Sequence, residues 1–376
     1  MQEAARIAFY APLKPPDHPI PSGDRQMARM LLAALARTGH DAFLASRVIA
    51  YSKRPGLEHL AARKSAALAE ADRLLAEWAN QGGRPDLWFS YHPYDKSPDW
   101  LGEAVCSRLS IPMVTAEPCR TGADGEWLPW RAESSRIIAG AAMNIVFTDS
   151  DRKFLSTFVP DEKVVWLDPF VDSALLQQDP FEGDPWNAGP GTLRLLVVGM
   201  MRPGAKLESY ALLASALKDL VGLDWSLLAV GEGPGEAEVR GNFANLPAGR
   251  IAFAGVQPPG KVLALMDKAD LLVWPGCREA YGMVYLEAAS RGLPAVALNN
   301  MGVPRVVEHM RTGLLADPPD ARHYRDELAR AMGDARLRAK LAAGALAFVE
   351  GERSGAKAAE RLAGILAPVL TRRSRS

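Results

Sequence analysis

The feature that most constrains this chain is an alternation, played out twice, of short apolar runs with longer stretches of helical period. "RIAFYAP" is apolar, aromatic and stopped by proline, and residues 24–38 follow with leucines at helical spacing and Gly39 as a stop. "DAFLAS", an Ala/Leu helix over about 57–80, "DLWFSYH", "IPMVTAE", "NIVFTD", a short helix near 150–158 and "KVVWLDP" continue the series. Strands this uniformly apolar are buried on both faces, which requires a parallel sheet covered by helices. "DSALLQQDPFEGDPWNAGPGT" then breaks the rhythm with Pro, Gly, Asp and Asn.

The alternation restarts with "LRLLVVG", "WSLLAVGEG", "RIAFAG", "DLLVWPG" and "LPAVAL" as five strands. Helices are expected near 207–221, 234–242, 259–268 and 282–291, and the Ala/Leu/Arg-rich tail is expected to be helical over about 320–370. The expected architecture is α/β: two Rossmann-like, doubly wound domains facing one another across a cleft. The first covers 1–172, the linker 173–192 and the second 193–350, while 351–376 holds a terminal helix with room to pack back on the first domain and a basic tail.

Composition excludes several function classes. The net charge of zero over 376 residues removes the electrostatic case for a nucleic-acid partner. Cys106, Cys119 and Cys277 are sparse and lack CxxC or Cys/His spacing, and no HExxH occurs, so no metal site is expected. The start carries Glu3 and a Pro12 break rather than a basic, apolar leader, and no uncharged apolar run approaches about 18 residues. The expectation is a cytoplasmic protein.

The chemistry concentrates in "REAYGMVYLEAASRGLPAVAL", where Glu279 and Glu287 stand eight residues apart around Gly282. The loop leaves the carboxyl end of a buried strand, where ligands of such sheets bind. A carboxylate accepts paired hydrogen bonds, and vicinal hydroxyls donate them. Glu279 could hold a sugar and Glu287 a ribose, with a diphosphate between them on the free amides of a helix start. The competing reading makes both glutamates solvated surface residues. Four features weigh against it: Gly302 before a helix begun by Pro304, Gly199 followed by Arg202 and Lys206, Gly231 at another strand end, and Phe253 near a third, where an aromatic could neighbour a base. Gly199 to Gly204 has P-loop spacing but lacks the Lys-Ser/Thr, and "GEGPGE" is not GxGxxG.

At this level of detail "REAYGMVYLEAASRGLPAVALNNMGVPRVVEHMRTGLL" resembles the donor-site signature of family-4 retaining glycosyltransferases of group 1, which have the GT-B fold. The resemblance runs over about residues 5–365 and is strongest in the second half. It implies that Glu279 contacts the donor sugar, Glu287 the nucleotide ribose, and Arg202 and Lys206 the departing diphosphate. It also implies phosphate binding by the backbone of Tyr281, Gly282, Met283 and Val284, with no metal and no cofactor beyond a nucleotide-diphosphate sugar as co-substrate. Anomeric configuration would be retained by front-face attack, without a protein nucleophile.

The sequence departs from the family pattern at identifiable places. Met200 follows Gly199 where the family usually has Arg, and Lys206 comes seven places on rather than six. On the acceptor side, Ser22-Gly23 replaces a usual glycine pair, Glu117 stands where a histidine is common, and His92 ends the preceding strand instead. Residues 20–64 carry eight Arg/Lys side chains against three acidic ones, which would suit peripheral contact with an anionic membrane and a lipid-linked acceptor; a solvated, balanced face is the competing reading. Two other function classes remain at this stage: another GT-B enzyme such as a nucleotide-sugar epimerase, and a non-catalytic sugar-nucleotide-binding scaffold.

Overall fold

The structure, a computed structural model, describes residues 4–20, 22–120, 125–176, 179–318 and 320–371. The chain forms two compact units, one built from the stretch through Asp168 together with that from Gly355 onward, the other from Pro169–Ser354.

The first unit alternates β1 (Arg6–Tyr10), α1 (Gly23–Arg37), β2 (Asp41–Leu44), α2 (Leu57–Gln81), β3 (Leu87–Tyr91), α3 (Trp100–Leu109), β4 (Met113–Ala116), α4 (Leu128–Gly140), β5 (Met143–Val146), α5 (Asp149–Leu155) and β6 (Val164–Trp166). Its six strands are all parallel, in the order β2-β1-β3-β4-β5-β6. Helix α1 forms because Ser22, in extended conformation, accepts from the Arg25 amide, and because Met27, Met30, Leu31, Ala34 and Leu35 repeat at helical spacing toward the core. Helix α2 is mostly exposed and buries a narrow stripe of Ala67, Ala71, Leu74 and Trp78. Trp88, Trp100 and Trp130 are fully buried in one aromatic-rich cluster against this helix layer.

The second unit contains β7 (Leu193–Val198), α6 (Ala205–Lys218), β8 (Trp225–Val230), α7 (Glu236–Phe243), β9 (Ile251–Gly255), α8 (Pro259–Lys268), β10 (Leu271–Val273), α9 (Met283–Ala289), β11 (Ala295–Leu298), β12 (Gly313–Ala316), α10 (Ala321–Gly333) and α11 (Ala335–Glu352). Its parallel order is β12-β11-β10-β7-β8-β9. Counted within the unit this is 3-2-1-4-5-6, the order of dinucleotide-binding sheets, and its topological switch point lies between β7 and β10. The chain then returns as α12 (Gly355–Thr371), which packs along α1 within the first unit. In the Pro/Gly-rich stretch near 173–192, Trp186 is buried, and its indole donates to the Leu195 carbonyl at 2.6 Å.

Some elements differ from the sequence reading. Helices α3 and α4 were not anticipated, since neither presents a clean apolar stripe. The second sheet has a sixth strand, β12, of only four residues. The helix expected from Pro304 is a single 3-10 turn, Val303–Arg305, so the second helix N-terminus read at this sheet edge does not exist. Val306 and Val307 are buried immediately after it, and the Met310 amide donates to the Gly313 carbonyl at 2.9 Å, tightening the chain into β12. Among the described residues, no helix is long and apolar enough to cross a membrane.

Candidate functional site

The switch point of the second sheet brings together the loops that leave β7 and β10. At the end of β7 the Gly199 amide donates to the Val230 carbonyl at 3.0 Å, and Gly231 lies at φ +134°, where a Cβ would stand 2.0 Å from the Gly199 carbonyl oxygen. Only glycine allows that approach, so the two loops run backbone against backbone. Helix α6 begins a few residues later and carries Lys206 in its first turn.

Strand β10 delivers Trp274, which is fully buried. The Tyr210 ring meets its ring edge-on at 5.2 Å, and the Tyr285 hydroxyl donates to its carbonyl at 2.9 Å. This fixed indole is a platform for two charges. Lys206 Nζ lies 5.2 Å from the ring centroid and donates to Glu279 Oε2, and the indole N–H is 3.4 Å from the same carboxylate oxygen. The side chains of Lys206 and Glu279 are 24% and 18% exposed, so the pair is open to a ligand yet partly shielded from water. Two further contacts hold the loop to α6: the Cys277 amide donates to Ser209 Oγ at 2.9 Å, and Arg278 pairs with Glu208 at 2.7 Å.

Gly282 then turns the chain into α9 at φ +79°; a Cβ there would lie 2.7 Å from the Tyr285 ring. Tyr281 and Met283 are buried and Val284 is half-buried. Helix α9 has seven residues, shorter than expected, so its dipole contributes little and the charge at this edge comes mainly from side chains. Glu287 is half-buried; its carbonyl accepts from Ser290 Oγ at 2.6 Å, and its carboxylate has no hydrogen-bond or ion-pair partner among the described residues. Burial alone pushes its carboxyl up to about 7.

The remaining residues picked from the sequence fall in different settings. Arg202 is exposed, with no ion pair among the described residues. Gly302 precedes the 3-10 turn. Phe253 lies within β9, not at its end; its ring packs edge-on against Phe243 at 6.3 Å, with the Arg240 guanidinium 4.1 Å from its centroid. Its contacts are those of a packed side chain on α7.

In the first unit the switch point lies between β1 and β3. Ser22 caps α1 and receives a hydrogen bond from Lys14 Nζ at 3.1 Å; Gly23 beside it is exposed with open space around it. His92 follows β3 and Glu117 follows β4, at φ +58° and +54°, a conformation uncommon for residues with side chains and concentrated at functional sites. His92 Nδ1 lies 3.5 Å from Glu117 Oε2, the Tyr91 hydroxyl donates to that oxygen at 2.9 Å, and Cys119 Sγ is 3.8 Å from His92 Nε2. Burial works to lower the His92 value, but the Cys119 sulfur and the Glu117 carboxylate outweigh it and hold the imidazole well above its ordinary range. Asp151, behind Glu117, is pushed up to about 6 by burial and then by that carboxylate. His92 and Glu117 were picked separately from the sequence, and the sheet brings them together. Sequence reasoning missed Tyr91, Cys119, Asp151, Ser209 and Trp274. Only Trp274 had a local signal, as an aromatic closing an apolar run before Pro275-Gly276.

Two Rossmann-like units of this kind define the GT-B fold. The pattern of the family described as Glycosyl transferases group 1 matches residues 187–347, within the second unit. A D-inositol 3-phosphate glycosyltransferase of Corynebacterium efficiens is 35% identical over 92 residues, 24% of this chain; the match spans 22% of that relative's length. Among solved structures, a sucrose-phosphate synthase from Thermosynechococcus elongatus superposes with a TM-score of 0.71 at 18% identity, covering 98% of this chain and 99% of the other. Anabaena HepE, solved in complex with UDP-glucose, gives 0.64 at 15% identity over 97% and 100%.

Proposed function

We propose that the protein is a retaining glycosyltransferase that moves a sugar from a nucleotide-diphosphate sugar to an acceptor held by the first unit. The observation that carries this reading is the charge arrangement at the second unit's switch point. Lys206 and Glu279 meet over Trp274, and eight residues beyond Glu279 lies a partly buried carboxyl with no partner. Desolvated carboxylates without partners are costly, and a pair of ribose hydroxyls would supply the missing donors to Glu287. The group 1 match over residues 187–347 and the UDP-glucose bound by HepE support a sugar nucleotide as the ligand.

In the proposed reaction Glu279 accepts from hydroxyls of the donor sugar. Lys206, with Arg202 from the exposed loop, neutralises charge on the diphosphate as the anomeric C–O bond breaks. The acceptor oxygen bonds to the anomeric carbon on the face the diphosphate leaves, and its proton passes to the departing phosphate oxygen. The reaction needs no protein nucleophile and no metal, because side-chain cations and the amides of residues 281–284 carry the charge. Ser22, Gly23, His92 and Glu117 hold the acceptor.

Thermal-shift screening with UDP-glucose, GDP-mannose, ADP-glucose and dTDP-glucose tests the reading, followed by measurement of nucleoside diphosphate release with and without candidate acceptors. One donor is expected to stabilise the protein by several degrees. Stabilisation by none would overturn the donor site, and epimerised donor produced without any acceptor would replace transfer with epimerisation.

A further inference from the structure

At the switch point of the second unit the protein's own charges satisfy one another. Lys206 Nζ rests on Glu279 Oε2, and the Trp274 indole faces the same oxygen at 3.4 Å. A diphosphate needs the cation, and a sugar needs the carboxylate, so neither can be fully served while the pair stays closed. We infer that the Lys206–Glu279 pair is an exchange lock that makes the site discriminate between the intact sugar nucleotide and the nucleoside diphosphate product. This rests on the donor-site reading above.

An intact donor offers a partner to each half. The diphosphate takes Lys206, the sugar hydroxyls take Glu279, and the ion pair is replaced on both sides. A nucleoside diphosphate offers a partner only to Lys206. It leaves the Glu279 carboxylate, 18% exposed, without its cation and next to two phosphates of the same sign. The lock therefore lowers affinity for the product while sparing the substrate, and its closing helps expel the diphosphate after transfer. The loop cannot easily carry Glu279 out of reach, because the Cys277 amide on Ser209 Oγ and Arg278 on Glu208 hold it to the helix that bears Lys206. Separation is left to the two side chains, a movement that costs no refolding.

The test compares wild type, Glu279→Gln, Lys206→Ala and the double variant by calorimetric titration with UDP, GDP, ADP and dTDP, and with UDP-glucose, GDP-mannose, ADP-glucose and dTDP-glucose. The diphosphate that binds wild type is expected to bind Glu279→Gln about tenfold more tightly, while the matching sugar nucleotide gains nothing. In the Lys206→Ala background the gain should shrink to the part that comes from repulsion between the carboxylate and the phosphates. Glu279→Asp, whose shorter side chain holds Lys206 less well, should give a smaller gain. Failure of every diphosphate to bind wild type and Glu279→Gln would remove the donor site and the lock with it. Binding to wild type with no gain in Glu279→Gln would remove the lock and leave the donor site standing. An equal gain with and without Lys206 would reduce the effect to plain repulsion and also overturn the exchange.

Discussion

The two units share a plan and diverge in what they put on it. Each has six parallel strands, and in each the sheet divides beside its first strand, between β1 and β3 in one and β7 and β10 in the other. At the division of the second unit, a cation and carboxylate lie over an indole, and eight residues along the chain Glu287 has a carboxylate with no partner among the described residues. At that of the first, His92 and Glu117 are packed among Tyr91, Tyr94 and Cys119, with side chains 14% and 8% exposed. The contrast teaches that topology selects where a site forms, while side-chain burial selects what it can bind. An open ion pair can be exchanged for a highly charged ligand. A more enclosed pair, in which His92 Nδ1 has no hydrogen-bond partner of its own, is better suited to orienting one hydroxyl or one small polar group.

If that contrast describes a donor edge and an acceptor edge, the largest effect should come from Lys206→Ala. Turnover is expected to fall by about 10²–10³, more than donor affinity falls, because the lysine acts on charge that grows as the bond breaks. Steady-state kinetics over donor concentration separate the two, and an unchanged kcat would take Lys206 out of the chemistry. Glu287→Gln should weaken donor binding by about a hundredfold in titration calorimetry, since an amide accepts only through one oxygen. Wild-type affinity in this variant would end the ribose role.

A smaller effect is expected on the other side of the comparison. His92→Asn should raise the acceptor KM by about tenfold and leave donor affinity unchanged. A loss of donor affinity instead would erase the division of labour between the units.

The pH dependence of stability sharpens the contrast further. The Glu287 carboxyl is raised from 4.5 to about 7 in the folded state. Below pH 4.5 it is protonated whether folded or not. Between 4.5 and 7 the unfolded chain gives up a proton that the folded chain keeps, so stability falls as pH rises, and above 7 the full cost applies. Glu287→Gln should therefore be no more stable than wild type at pH 4 and about 1–2 kcal/mol more stable at pH 8, after allowing for solvent at a half-buried site. Denaturant unfolding at the two pH values measures this, and a constant difference would show that the carboxyl titrates normally. The smallest effect is expected from Phe253→Leu, with donor affinity shifted by less than about twofold, because the ring packs on α7. A larger shift would restore its role beside the base.

The sheets were largely legible because their strands read as nearly continuous apolar runs, such as Leu193–Val198 and Trp225–Val230, interrupted only by Arg194 and Ser226. Elements with weaker patterns escaped. β12 is four residues long, α4 mixes polar and apolar positions, and the Pro304 segment has a helical start but is pulled into a turn by the buried Val306 and Val307. The positions of Glu279 and Glu287 were legible as a spacing. Their difference was not: one is paired and the other has no partner, which depends on a lysine 73 residues away from Glu279 along the chain.

What the sequence alone determined was thus the local periodicity of two parallel-sheet units and the residue types at their strand ends. Hydrophobic repeats of two or 3.6 residues and the backbone demands of glycine and proline act over a few residues and are written directly in the chain. Tertiary structure decided the company those residues keep: Lys206 with Glu279 over Trp274, His92 with Glu117, and the Glu287 carboxylate with no partner among the described residues. Those pairings follow from strand order and from the desolvation of each group. Both arise only when distant segments pack together, so no local pattern can encode them.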